Sequence, residues 1–473
     1  VAARRATRLE DDMKNIPRLA GPLTLALIAG CASAPPYQAP QVDVPAAFKE
    51  QGVWQAASAG PLVPEAWWTL FADPVLDDLQ SRLLVDNQTL KSSLAQLAAA
   101  RAAVATAQAS VLPQLGAGLG ASRGNSAGEN TSTRNTVQLS ADASWEIDLW
   151  GRLGLAVRGA NASLQASADD LAAARLSAQA TLAQAYFTLR AGEAQAAVLE
   201  RTVAAYTKSL DLTKKRHAAG VASGADVALA EVQLANTQAS WRDALASRAQ
   251  TEHAIAVLLG QAPAAFSLPV TAQLPQAPDA PALLPSTLLE RRPDIAAAER
   301  RVALAQAQVG VAQKAFFPSL TLSASAGYSG SALAGLARAP NLFWSLGPAL
   351  AATVFDGGTR KAAVAQAQAG AEQATASYRQ TVLVALQEVE DNLVSAGNLR
   401  GDESLRQQAL AAAQRALAIT ESQYRAGTVG YLEVVSAQAS VLSAETTLLN
   451  VRSQRLAAVG TLLKNIGGRW APA

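Results

Sequence analysis

Residues 137–149 alternate without a break. Val137, Leu139, Ala141, Ala143, Trp145, Ile147 and Leu149 are apolar, and Gln138, Ser140, Asp142, Ser144, Glu146 and Asp148 between them are polar. Successive side chains of a β-strand point to opposite faces, so this segment is expected to carry one apolar face and one wet face. It is long enough for a tilted strand that crosses a bilayer, which needs about 9–11 residues. Trp145 near one end suits the aromatic girdle of a membrane barrel. A single strand of this kind equally describes a half-buried strand of a soluble sheet, and only its surroundings separate the two.

Those surroundings are long helices and further alternating strands, arranged twice. Asp73 before Pro74 reads as a helix N-cap, with the proline at the position where a missing N–H costs nothing. A helix is expected over 74–111, with a break at 86–87. Residues 115–122 alternate large residues with glycine, and a polar loop over 123–136 leads into the 137–149 strand, giving a hairpin over 115–149. Residues 151–217 then run without proline and read as one helix, on the order of 100 Å long at ~1.5 Å per residue. Leu153, Ala160, Ser167 and Ala174, with Val157, Leu164, Leu171 and Ala178, keep seven-residue spacing, the signature of a coiled-coil seam. A tight turn at 218–224 precedes a second helix, 225–259.

Residues 261–285 carry six prolines and divide a first repeat, 74–260, from a second, 286–466. In the second, Pro318 stands where Pro113 stood, a hairpin is expected over 319–355, a long helix over 361–425 and a last helix over 431–466. That last helix places Val435, Leu442, Leu449, Leu456 and Leu463 at strict seven-residue intervals. Tyr424-Arg425-Ala426-Gly427 echoes His217-Ala218-Ala219-Gly220. The chain reads as a tandem of helix, hairpin, long helix, turn and helix.

The start of the chain reads as an address and an anchor. Met13, the only methionine, is expected to open a signal peptide after a non-native leader. Lys14 and Arg18 supply its charge, and a short apolar run ends at Ile28-Ala29-Gly30-Cys31. The only cysteine therefore sits where a bacterial lipoprotein box requires its acylated residue. Residues 31–73 form a proline-rich tether and an equatorial segment, and 467–473 form a tail.

Other chemistries find little support. The formal net charge of the 473 residues is +2, which points away from nucleic acid, and there is no Gly-x-x-x-x-Gly-Lys-Ser/Thr loop. His217 and His253 are far apart, so neither a metal cluster nor a nucleophile–histidine pair is expected, and His217 suits the dipole at a helix C-terminus. Glu146 and Asp148 lie on one face of one strand and point the same way, unlike the opposed carboxylates of a glycosidase.

Four strands cannot close a barrel by themselves, and an open edge in lipid leaves backbone groups unpaired at several kcal/mol each. Several chains must share one barrel. Two would give eight strands and a filled interior, whereas three would give twelve and leave a channel, so three or more are favoured. Gln138, Asp142, Glu146, Thr321, Ser323 and Ser325 would then line water. The long helices are too polar for lipid and should extend into the periplasm.

Certain stretches match a known family. They are Trp67-Trp68 with Phe71 and Asp73-Pro74, Ser144-Trp145-Glu146-Ile147-Asp148 with Gly151-Arg152, and Leu288-Leu289-Glu290-Arg291-Arg292-Pro293-Asp294-Ile295 continuing to Phe316-Phe317-Pro318. The terminal Gly467-Gly468-Arg469-Trp470 is a fourth. Through them the chain resembles the TolC-like outer membrane factors, in the lipoprotein (OprM/NodT-like) branch of tripartite efflux systems. The resemblance implies an α+β membrane protein. It would be a homotrimer sharing a twelve-stranded β-barrel, continued by a twelve-helix periplasmic α-barrel with a mixed equatorial domain. It implies a passive duct for drugs or other small toxic molecules, filled by an inner-membrane pump and a periplasmic adaptor. No catalysis and no cofactor are implied beyond the lipid on Cys31. Adaptor docking would fall on the helix-turn tips, Gly220, Val221 and Ser223 with Gly427, Thr428 and Val429. Leu432 matches the family's constricting leucine, while Ser436 stands where the family has an acidic residue, which leaves the constriction to Leu432. The competing readings are a type I secretion duct, an autonomous porin and a coiled-coil scaffold lipoprotein that does not span the membrane.

Overall fold

The computed structural model describes residues 37–43, 45, 48–49, 66–125, 133–278 and 292–466. Met13, Cys31, residues 288–291 and the 467–473 tail lie outside the described residues. Among those described, the helices are α1 (Pro74–Asp86), α2 (Gln88–Ala109), α3 (Arg152–Ala218), α4 (Gly224–Leu258), α5 (Pro293–Lys314), α6 (Thr359–Ala426) and α7 (Tyr431–Ile466). The strands are β1 (Gln114–Asn125), β2 (Thr133–Ile147), β3 (Ser319–Gly330) and β4 (Leu342–Ala351). Helix α3 is unbroken over 67 residues and α6 over 68. The chain divides into two compact units, one drawing on 97–167 and 298–378, the other on 42–96, 168–297 and 379–473.

The first unit holds one antiparallel sheet in the order β1-β2-β3-β4. Its register sets apolar residues in rows across all four strands. Leu115, Ala143, Ala324 and Leu346 form one row; Ala117, Ala141, Ala326 and Trp344 the next; Leu119, Leu139, Tyr328 and Leu342 the third. A slip of one residue would turn every one of these side chains to the other face, so the alternation itself specifies the pairing. The face is open: Trp344 is 75% exposed and Leu115 79%. The second hairpin differs from expectation, because β4 begins at Leu342 and ends at Ala351, short of Phe355. Gly347 and Pro348 blur its alternation.

On α3, Leu153 and Leu171 of the expected heptad rows are buried and the others half-buried, and a further row, Leu155, Gly159, Ala162 and Ala166, is buried throughout. The cause is close approach at two glycines. A Cβ on Gly159 would lie 3.4 Å from Leu304 Cδ1, and one on Gly310 would lie 2.9 Å from Leu155 Cδ1. Glycine and alanine carry little hydropathy signal, so a seam built from them escapes a search for large apolar residues.

The second unit is built on an aromatic core. Trp67, Trp68 and Phe71 of a 3₁₀ turn pack with Leu76, Leu79 and Leu83 of α1, Tyr186 and Phe187 of α3, Ile255 of α4 and Leu456 and Leu463 of α7. Each large side chain fully buried here contributes about 1.5–3 kcal/mol. Asp73 caps α1, its Oδ1 accepting from the N–H of Val75 (3.0 Å) and Leu76 (3.3 Å), while Oδ2 accepts from the Tyr186 hydroxyl at 2.6 Å. Asn87 separates α1 from α2. Its Nδ2 donates to the Leu258 carbonyl at 2.7 Å and its Oδ1 accepts from Leu90 N at 3.0 Å. A chain of buried charges fastens the proline-rich segment. Glu193 accepts from Arg190 (2.7 Å), Arg248 (3.0 Å) and Thr271 N (3.1 Å), and Glu252 accepts from Leu268 N (2.7 Å).

Candidate functional site

Three surfaces carry the polar and small residues that the sequence singles out: the second face of the sheet, the two helix turns, and the start of α7. On the sheet the register gathers Gln138, Asp142, Glu146, Thr321, Ser323 and Ser325 on one face, opposite the apolar rows. Asp142 anchors its middle. Its Oδ2 accepts from Ser140 Oγ at 2.9 Å and its Oδ1 from Ser325 Oγ, one strand over, at 2.7 Å. Glu146 is engaged elsewhere, receiving both of its hydrogen bonds from Arg152 Nη2, at 2.7 and 2.9 Å, where the sheet meets α3.

An aspartate that accepts backbone N–H groups holds that junction in each repeat. Asp148 accepts from the N–H of Leu153 (3.1 Å) and Gly154 (2.7 Å), anchoring the start of α3. Asp356 accepts from Gly358 N (3.0 Å), Arg360 N (3.1 Å) and Arg360 Nε (2.6 Å), and the Arg360 hydrogen bond holds its carboxyl down at about 2. Trp150 stacks on Phe317 with ring centroids 4.9 Å apart and donates from Nε1 to the Pro318 carbonyl at 2.6 Å.

The two helix turns share a backbone but not a surface. Gly220 and Gly427 both adopt positive φ, +73° and +78°, a conformation that glycine enters without the strain other residues bear. In the first turn, Ser223 and Asp226 form a reciprocal capping box at the start of α4, and His217 Nδ1 lies 2.9 Å from the Ala222 carbonyl, bridging the turn. His217 thus acts on the turn in addition to sitting at a helix C-terminus. Val221 projects into solvent, 65% exposed. In the second turn, Thr428 donates from both N and Oγ1 to the Gln423 carbonyl, and Val429 packs into a cluster of Tyr424, Tyr431 and Val434.

Arg216 joins the two turns. Its guanidinium lies 4.4 Å from the centroid of the Tyr424 ring and donates to the Tyr424 carbonyl at 3.0 Å. The tie spans 208 positions of sequence, and only the tandem echo of the two turns hinted that they would meet. Close by, Leu432 is 61% exposed, and Ser436, one turn on along the same side of α7, is exposed as well. No group of three or more His, Cys, Asp or Glu among the described residues is arranged to hold a metal ion, and no helix there is long and apolar enough to cross a membrane.

Comparison with known proteins agrees on one family. The family model for outer membrane efflux proteins matches residues 79–261 and 284–468, one match in each repeat. The pyoverdine export outer membrane protein OpmQ of Pseudomonas aeruginosa is 34% identical over 479 residues, covering 97% of each chain. Outer membrane protein OprJ of the same organism is 30% identical over 461 residues, covering 95% of each. Among solved structures, the outer-membrane channel OprN superposes with a TM-score of 0.87 at 29% identity, over 93% of this chain and all of that one. CusC does so at 0.83 and 28%, with the same coverage. A two-faced four-stranded sheet, long paired helices and a doubled family match thus converge, and the chain belongs to the outer membrane efflux protein family.

Proposed function

We propose that three copies of this chain share one twelve-stranded β-barrel in the outer membrane, continued into the periplasm by a twelve-helix α-barrel. In this reading they form the passive exit duct of a tripartite efflux system. The carrying observation is the sheet itself: four strands with one apolar face, one polar face and, among the described residues, unpaired edges at β1 and β4. Such an edge is tolerated in lipid only when another copy pairs with it, and twelve strands are wide enough to leave a channel. Gln138, Asp142, Glu146, Thr321, Ser323 and Ser325 line that channel, with Glu146 neutralised by Arg152.

A periplasmic adaptor docks on the turns at Gly220, Val221 and Ser223 and at Gly427, Thr428 and Val429, delivering cargo from an inner-membrane pump. Leu432 narrows the duct just beyond the second turn, and the uncharged Ser436 adds no electrostatic barrier. Cys31 carries the N-terminal lipid. The duct has no catalytic role and needs no cofactor. Its cargo is drugs or other small toxic molecules, in keeping with relatives that bear the names of antibiotic, toluene and cation efflux proteins.

The test is stoichiometry with conduction. Light scattering of the detergent-extracted protein should give three chains per particle, and the same particles should conduct in planar bilayers. A monomeric, non-conducting species would refute the shared barrel.

A further inference from the structure

The polar face of the sheet contains one residue that does not belong to a simple water-filled wall. Phe343 pairs directly with Gly327, which pairs with Ser140 and then Gly118, so its ring lies on the same face as Asp142. It is the only aromatic side chain on that face among the described residues. It is half-buried, whereas Trp344, on the opposite face, is 75% exposed. The rest of its row is two glycines and a serine, so no other large side chain stands in that row.

The position of Phe343 is held from behind. Asn341 Nδ2 donates to the carbonyls of Gly335 and Leu336, both at 3.1 Å, and Leu336 is 6% exposed beneath the loop that leads into β4. The neighbouring row on the same face is Gly116, Asp142, Ser325 and Ser345. Asp142 and Phe343 therefore stand two strands and one row apart, about 12 Å between their Cα atoms from standard sheet spacings. The other wet-face charges do not compete. Glu146 is paired with Arg152, and Arg134 lies six residues beyond Ser140 towards the loops, about 20 Å away.

We infer that Phe343 and Asp142 form a transit subsite for aromatic cations on the wall of the duct, near the loop end of the sheet. The inference rests on the duct reading above. A flat aromatic ring stacks on Phe343 while its positive charge is drawn to the Asp142 carboxylate, which Ser140 and Ser325 hold in place with lone pairs to spare. An aliphatic quaternary cation meets the carboxylate and the ring face through its charge alone, without stacking, and an aromatic anion is repelled by the carboxylate. The contact is weak by construction, as a conducting path needs, since a tight site would trap its cargo.

The experiment measures export of three probes from cells that rely on this duct: ethidium, tetraethylammonium and fluorescein. Phe343→Leu should lower ethidium export about 2–10-fold and tetraethylammonium export less, and Phe343→Tyr should restore ethidium. Asp142→Asn should lower both cations and raise fluorescein. Wild-type ethidium export in both Phe343→Leu and Asp142→Asn would overturn the subsite. So would an equal fall of all three probes in Phe343→Leu at wild-type membrane levels, the mark of a purely structural role. Failure of the wild-type protein to export any probe would instead refute the duct reading.

Discussion

Arg292 is 6% exposed and sits between two carboxylates, donating to both oxygens of Asp294 (2.6 and 3.1 Å) and to Glu388 (2.8 Å). Burial pushes the Asp294 carboxyl up, but the Arg292 guanidinium outweighs it and holds the group below the usual aspartate range. Arg292→Met should cost about 1–3 kcal/mol at neutral pH, less than for a fully buried pair because both carboxylates are more than a third exposed. A carboxyl with a depressed pKa stabilises the fold above its ordinary range and loses that contribution as pH falls through the depressed value. The gap in denaturation midpoint between wild type and Arg292→Met should therefore narrow below about pH 4. At the turns, Val221→Asp should abolish adaptor binding in a pull-down with no change in melting temperature, while Val429→Asp should lower the melting temperature by unpacking Tyr424 and Tyr431. Leu432→Ala should raise both single-channel conductance and antibiotic leakage into cells; unchanged values would remove Leu432 as the constriction. The Asp73 cap of α1 was legible from the Asp-Pro pair alone. Its second bond, to Tyr186 113 positions away, was not, because nothing local marks a tyrosine as the partner of a distant aspartate.

Between elements, the joints matter more than the spans. Asn87 both starts α2 and ties it to the end of α4, and Gly260 just beyond adopts φ +67° against the Asp86 carbonyl, where any Cβ would collide. Asn87→Ala should destabilise the protein by about 1–2 kcal/mol, read as a lowered midpoint in chemical denaturation, since it removes a cap and orphans a carbonyl together. The β2 alternation was plain because large apolar and polar residues take strict turns. The β4 boundaries were not, since Gly347 and Pro348 interrupt the pattern and Val354 and Phe355 prolong it beyond the sheet. The α3 seam was legible only in part for a related reason: Leu153 and Leu171 are buried, but the close approach at Gly159 left no mark, since its value lies in what it lets approach. The charge chain through Arg190, Glu193, Arg248 and Glu252 was invisible, because its members come from two helices more than 50 positions apart and receive backbone N–H groups of the proline-rich segment.

At the scale of the molecule, the doubled order of helix, hairpin, long helix, turn and helix was readable from the echo of two glycine turns and two prolines. The need for company followed from counting strands. The central claim is that β1 of one copy pairs with β4 of the next until the sheet closes. Disulfide trapping across that seam tests it most directly. Cysteines replacing the exposed Leu119 of β1 and the exposed Leu342 or Leu346 of β4 should, on mild oxidation in membranes, yield covalent species that end at three chains, with each single variant yielding none. Only monomers, or a ladder running past three, would contradict a closed three-chain barrel.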